Sequence, residues 1–390
     1  MALSDLFKPK WKHSNPDVRK AALVNVIDSK ILAEIAINDK DWSVRIAAIK
    51  KITDQKILEE VAINDKSSKV RLIAIKKITH KKVFIEVAKN DNEPEVRKAV
   101  IKKVTDQTVL SEIAKNDKDW SVRIAAIKKI TKQNVLADIA KNDKDNVVRK
   151  AAVEKITDQT VLSDIAMNER DRTVRMAAIE KTTNQDVLAE LVKDNEYWTI
   201  RQAATTKLTD QKVLANVARM DIYAQIREIA IKGITDQSLL AEEAMNNPHV
   251  PIRKEAVGKI TDPEVLIHVV KNDKDLEVRK TGIISIGNLK EPIKKYAEIL
   301  INTLDDPNKE IRKSAVIGLS NYANHSPQLL LDNWNMIFSK AKHHEDFPGK
   351  SSHADYSQPL DCKHVDNTKW EREHLDIGIG VDFPEKTPKL

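Results

Sequence analysis

The sequence predicts an all-α solenoid of about twelve two-helix repeats with an irregular C-terminal tail, and three observations carry that prediction. First, a Val/Ile-Arg pair recurs every 26 residues without insertion or deletion, at Arg19, Arg45, Arg71, Arg97, Arg123, Arg149, Arg175, Arg201, Arg227, Arg253 and Arg279. A twelfth copy, Ile311-Arg312, follows after a longer step of 33. Second, the sixteen residues NDKDWSVRIAAIKKIT stand at 38–53 and again at 116–131, three periods apart. Third, all eight glycines lie at or beyond Gly233, so the first eight or nine repeats turn on Asn, Asp and Thr. A fixed period of this length is the mark of stacked supersecondary units.

Each unit reads as two short helices. In TDQKILEEVAIND (53–65), Thr53 or Asp54 caps the first helix, Ile57, Leu58, Val61 and Ala62 form one apolar stripe, and Asn64 and Asp65 end it. In DWSVRIAAIKKI (41–52), Asp41 caps the second, whose buried stripe is expected at Val44, Ala47, Ala48 and Ile52. Helices of about ten residues do not persist alone in water, so their stability must come from stacking on neighbours. The period divides the chain into a repeat array over 1–290 and a longer capping repeat and helix over 291–342. An extended polar tail fills 343–390. At the other end, Ala2 to Phe7 supplies the first half-repeat.

The unit LAEIAINDKDWSVRIAAIKKI resembles the short bacterial HEAT-like repeats and the related leucine-rich variant repeats, which share an aspartate-rich turn followed by Val-Arg and small apolar residues. The resemblance covers roughly residues 1–325 and implies an armadillo-type superhelix that holds partners along a groove. Alkylpurine DNA glycosylases with HEAT-like folds resemble the chain in general fold only, since no residue constellation here marks a base-binding pocket.

Composition excludes several classes of function. No run of eighteen apolar residues exists, and MALSDLFKPKWK lacks the layout of a secretory signal, so a cytoplasmic, non-membrane protein is expected. Cys362 is the single cysteine, which excludes a disulfide framework and any multi-thiol metal site. No phosphate-binding glycine loop, serine elbow or His-Glu-x-x-His helix is present. Identical repeat blocks also argue against chemistry confined to one unit. The expected protein is a non-enzymatic, monomeric scaffold without a resident cofactor.

Two ladders bear on binding. Six residues before most of the arginines stands Asp39, Asp65, Asp91, Asp117, Asp143, Glu169, Asn195, Asp221, Asn247 or Asp273, with Asp306 before Arg312. The planar guanidinium is suited to tie the turn of its own repeat and of the next through that carboxylate and nearby carbonyls. Lys51, Lys77, Lys103, Lys129, Lys155, Lys181, Lys207 and Lys259 form a second ladder six residues after the arginine, and Lys50, Lys76, Lys102 and Lys128 add a parallel row. A lysine there favours the helix C-terminus, and a stack of them also concentrates positive potential. Residues 1–325 carry net +10 and residues 326–390 net −3. The rows Lys50, Lys51, Lys76, Lys77, Lys102, Lys103, Lys128 and Lys129 are therefore the expected contact for an acidic protein partner, with a nucleic-acid backbone as the alternative. Trp42, Trp120 and Trp198 recur in repeats two, five and eight, where an indole packs over the preceding turn or offers a face to a base.

Within the tail, His-x-Asp recurs four times: His344 and Asp346, His353 and Asp355, His364 and Asp366, His374 and Asp376. In an extended segment residues i and i+2 project to one side, so each pair presents an imidazole nitrogen and a carboxylate oxygen together. A divalent transition metal such as zinc, nickel or copper is the ligand this pattern would take, with Cys362 two residues from His364. A repeated linear recognition motif without metal is the other reading.

Overall fold

The computed structural model describes residues 8–194, 196–290, 294–323, 333, 336, 337 and 340. Twenty-three α-helices and no strand occur among them, and the chain is an α-solenoid of stacked helix pairs. The helices group into two compact units, Met1–Val187 and Leu188–Leu390. Within each, a first helix packs on the second helix of its own repeat, and second helices of successive repeats form the more closely packed row. None of the described helices is long and apolar enough to cross a membrane.

Local chemistry explains the uniform pieces. The helix Gln55–Asn64 starts where Asp54 Oδ1 accepts the Lys56 amide at 2.9 Å, and it ends at Asp65. The helix Trp42–Lys51 starts where Asp41 Oδ1 accepts the amides of Ser43 and Val44. An aspartate does the same job ahead of Thr108, Ser121, Thr160, Thr173, Lys212, Ser238, Glu264 and Glu277. Such side-chain caps satisfy amides that a helix start leaves without partners. Alanine recurs fully buried at Ala48, Ala74, Ala126, Ala152, Ala178, Ala204, Ala230 and Ala256, which is what lets the second helices approach.

One expectation needs correction. The buried stripe of the second helix is Val44, Arg45, Ala48 and Ile49, with Ile52 buried just past its end, while Ala47 stays partly exposed. The arginine is the reason: its guanidinium lies inside the turn, so the helix is rotated to bury it. At the C-terminal end the second helices lengthen, to Leu276–Gly287 and Lys309–Ala323. The amphipathic helix expected around 327–342, and the half-repeat at Ala2 to Phe7, lie largely or wholly outside the described residues.

Candidate interaction surface

The arginine ladder is the stitch between repeats. Arg45 Nε and Nη2 donate to the two carboxylate oxygens of Asp65 in the next repeat at 2.7 and 2.8 Å, and Nη1 donates to the carbonyl of Asp39 in its own turn. The same fork joins Arg19 to Asp39, Arg71 to Asp91, Arg97 to Asp117, Arg123 to Asp143, Arg149 to Glu169, Arg201 to Asp221 and Arg253 to Asp273. Each carboxylate also accepts the amide two residues on, as Asp65 does from Ser67. Arg45, Arg71, Arg97, Arg123 and Arg201 are buried, so these members of the ladder are closed to an outside anion. The hydrogen-bonded carboxylate raises the pKa of Arg71, Arg97, Arg123, Arg201 and Arg253 above the ordinary arginine value.

The two lysine rows, adjacent in sequence, differ in their contacts. Lys77 Nζ donates to the carbonyls of Ile49, Lys50 and Ile52, all in the preceding repeat. Lys51 does so to Leu23, Val24 and Val26, Lys103 to Ile75 and Ile78, and Lys129 to Ile101, Lys102 and Val104. Lys155 and Lys259 repeat the pattern. These ammonium groups satisfy carbonyls that a helix end leaves open, one repeat back rather than in their own helix. Burial lowers the pKa of Lys77, Lys155 and Lys259.

Lys50, Lys76, Lys102 and Lys128 are different. All four are exposed, and their ammonium groups have no ion pair or hydrogen bond among the described residues. They stand at or just past the ends of four successive second helices in the first unit. At the equivalent position of the next repeat the row changes sign, to Glu154.

The tryptophans are exposed at the other end of the same helices, with Trp42 and Lys50, or Trp120 and Lys128, eight residues and about 80° of helical rotation apart. Trp42 is 43% exposed and Trp120 51%, so packing on the turn covers only part of each indole. Lys69, one repeat on, places its ammonium 4.6 Å from the centre of the Trp42 ring. In the second unit Trp198 meets the Tyr223 ring at 5.8 Å, with the Arg201 guanidinium 5.4 Å from the tyrosine centre.

A third ladder carried no signal in the sequence reading. Gln55, at the start of its helix, donates from Nε2 to the Lys77 carbonyl and accepts the Thr79 amide at 3.0 Å. Gln107, Gln133, Gln159, Gln211 and Gln237 clamp the next repeat's loop in the same way. The recurring Thr-Asp-Gln triplet could have revealed it.

The tail residues His344, Asp346, His353, Asp355, His364, Asp366, His374 and Asp376 lie outside the described residues, as does Cys362. Among the described residues no three His, Cys, Asp or Glu side chains come together as metal ligands.

A scan against protein-family models finds no match, and no curated protein matches the sequence. Solved structures do match. The karyopherin Kap121p bound to the SUMO protease Ulp1p is 15% identical over 85% of this chain and 50% of that one, with a TM-score of 0.44. Importin beta is 13% identical over 86% and 58%, at 0.29. The S. pombe condensin Cnd3-Cnd2 subcomplex is 16% identical over 86% and 61%, also at 0.29. The chain spans about half the length of the Kap121p structures it matches. Likeness at this level says nothing about partner or activity.

Proposed function

We propose that the chain is a non-enzymatic interaction scaffold whose first unit binds an extended acidic segment of a partner protein across the outer side of its second helices. The row Lys50, Lys76, Lys102 and Lys128 carries this reading: four unpaired, exposed ammonium groups lie in register, flanked by half-exposed indoles. Neighbouring packed helices are about 8–10 Å apart, and a chain in the polyproline II form has three residues per turn and rises about 3.1 Å per residue. A segment with an acidic side chain at every third position would meet each lysine in turn. Duplex DNA, with one charge per roughly 1.7 Å, would leave most of its charge unanswered by so sparse a row.

The test is fluorescence anisotropy with a labelled twelve-residue peptide bearing glutamate at every third position, alongside single- and double-stranded oligonucleotides, across a salt series. The peptide is expected to bind in the micromolar range and to lose about tenfold or more in affinity to the variant Lys50→Gln/Lys76→Gln/Lys102→Gln/Lys128→Gln. Undiminished peptide binding by that variant rejects the surface. Tighter binding of oligonucleotides, falling steeply with salt, replaces the protein partner with a nucleic acid.

A further inference from the structure

A second surface stands in the other unit, on the side formed by first helices. On the first-helix side of both units, neighbouring repeats are bridged by a cation on one first helix and a carboxylate 23 residues later on the next. Lys89 meets Glu112, Lys115 meets Asp138 and Lys141 meets Asp164, each at 2.5 Å, and Arg219 meets Glu242 at 2.8 Å. Where Lys193 should find its carboxylate the sequence has Asn216. Lys193 turns back instead to Glu190, three residues away, in an exposed pair.

At this missing rung a cleft of about 460 Å³ opens between the helices Gln185–Leu191 and Gln211–Met220. Val192 and Val217 form a buried apolar floor. Met220 and Ile222 stand at its edge, 68% and 79% exposed, and carry the apolar lining out to solvent. Charge on the lining is lopsided. Asp221 is already engaged by Arg201 and by the Tyr223 amide, while Lys212 has no side-chain partner among the described residues. Lys193 is held only by a surface pair, of the kind worth little.

We infer that this cleft docks a short protein segment that presents a bulky apolar side chain next to a carboxylate. The apolar group would fill the space over Val192 and Val217, and the carboxylate would take the place of the missing rung between Lys193 and Lys212. Small-molecule sites bury most of their ligand and fix it with convergent polar groups. This one is open, with its cations at the rim, which suits a chain lying across it. The site is separate from the lysine row of the first unit, and neither reading depends on the other.

The experiment uses the full chain and a fluorescein-labelled nine-residue peptide with a central Leu-Phe pair flanked on each side by two aspartates. Binding with a dissociation constant on the order of 100 µM or tighter is expected. Asn216→Asp restores the rung found in other repeats, so it should fold with unchanged or higher thermal stability yet bind the peptide at least about tenfold more weakly. Val213→Trp, which fills the cleft, should lose binding as well. A peptide with asparagines for the aspartates should bind about tenfold more weakly, and the quadruple lysine variant of the first unit should bind normally. The proposal is overturned by no binding to the wild-type chain, by equal binding of the neutral peptide, or by full affinity in Asn216→Asp. Sedimentation showing self-association that Asn216→Asp abolishes would assign the cleft to a second copy of this chain and overturn it too.

Discussion

The ammonium of Lys77 lies 2.8 Å from the carbonyl oxygen of Ile49, twenty-eight positions back in the chain. Its sequence neighbour Lys76 reaches no partner among the described residues. One lysine of the dipeptide is thus spent on a contact between repeats while its neighbour stays exposed, a division repeated along the stack. In a solenoid such a contact is a nearest-neighbour coupling between repeats, the quantity that decides whether short helices hold together.

Lys77→Met should therefore lower stability by about 1–3 kcal/mol, the range for hydrogen bonds made by a charged donor. Lys76→Met, on the same helix, should stay within about 0.5 kcal/mol of wild type. Urea unfolding followed by circular dichroism separates the two. Equal effects would mean that the carbonyl clamp contributes nothing beyond what water supplies.

The architecture was legible because its signals repeat: an Arg-Asp register of 26 residues and an apolar stripe need only one good copy to be recognised in eleven. The arginine tie to the turns of two repeats was readable for the same reason. Separating Lys51, Lys77, Lys103 and Lys129 from Lys50, Lys76, Lys102 and Lys128 was not. Both rows sit at a helix C-terminus, and only the stacking geometry tells which ammonium lies over the carbonyls of the preceding repeat. The cleft at Asn216 was hidden differently: an asparagine among acids carries meaning only once residues 23 apart are known to face each other.

Repeat ten shows the ladder altered in two places at once. Arg227 faces Asn247 where most other repeats have an acid, and its Nε is buried without a partner. The carboxylate has moved one helical turn back: Glu243 is fully buried at the position held by Val61, Val87, Ile113, Ile139 and Val269 elsewhere. There it accepts from Asn247 at 2.6 Å and from Arg219. The double variant Glu243→Val/Asn247→Asp should regain the regular fork and raise stability by about 1–3 kcal/mol. Asn247→Asp alone sets two carboxylates together and should lower the urea midpoint. A double-mutant cycle should give a coupling of about 1 kcal/mol or more; strict additivity would deny that the two sites are linked.

Asp171 provides the clearest dependence on pH. It caps the helix Arg172–Lys181, and the hydrogen bond from the Thr173 hydroxyl, with a second from Asn146 at 2.7 Å, lowers its pKa from 3.8 to about 2. A depressed folded-state value means the unfolded chain takes the proton first as pH falls. The contribution is complete above about pH 4 and disappears by about pH 2. Carbon-13 carboxyl titration should place Asp171 near the bottom of the carboxylate range, and Thr173→Val should move it upward. In Asp171→Asn, which keeps a capping side chain, this part of the acid dependence should be absent. An unshifted titration in wild type would reject the assignment.

Two glycines predict opposite signs for one substitution. The helices Leu276–Gly287 and Lys309–Ala323 cross backbone to backbone, so that a β-carbon on Gly287 would fall 2.6 Å from the Gly318 α-carbon. Neither helix can yield without unseating its own packing, and Gly287→Ala should cost about 1–3 kcal/mol, as overpacking does. Gly258 lies within the helix Val250–Lys259, where the nearest atom to such a carbon is Thr281 Cγ2 at 4.0 Å. With room available only the backbone entropy of glycine remains, and Gly258→Ala should stabilise by about 0.5–1 kcal/mol. Thermal unfolding of both variants decides the matter: a midpoint lowered at 287 and raised at 258 requires the close crossing, because helix propensity alone would raise both.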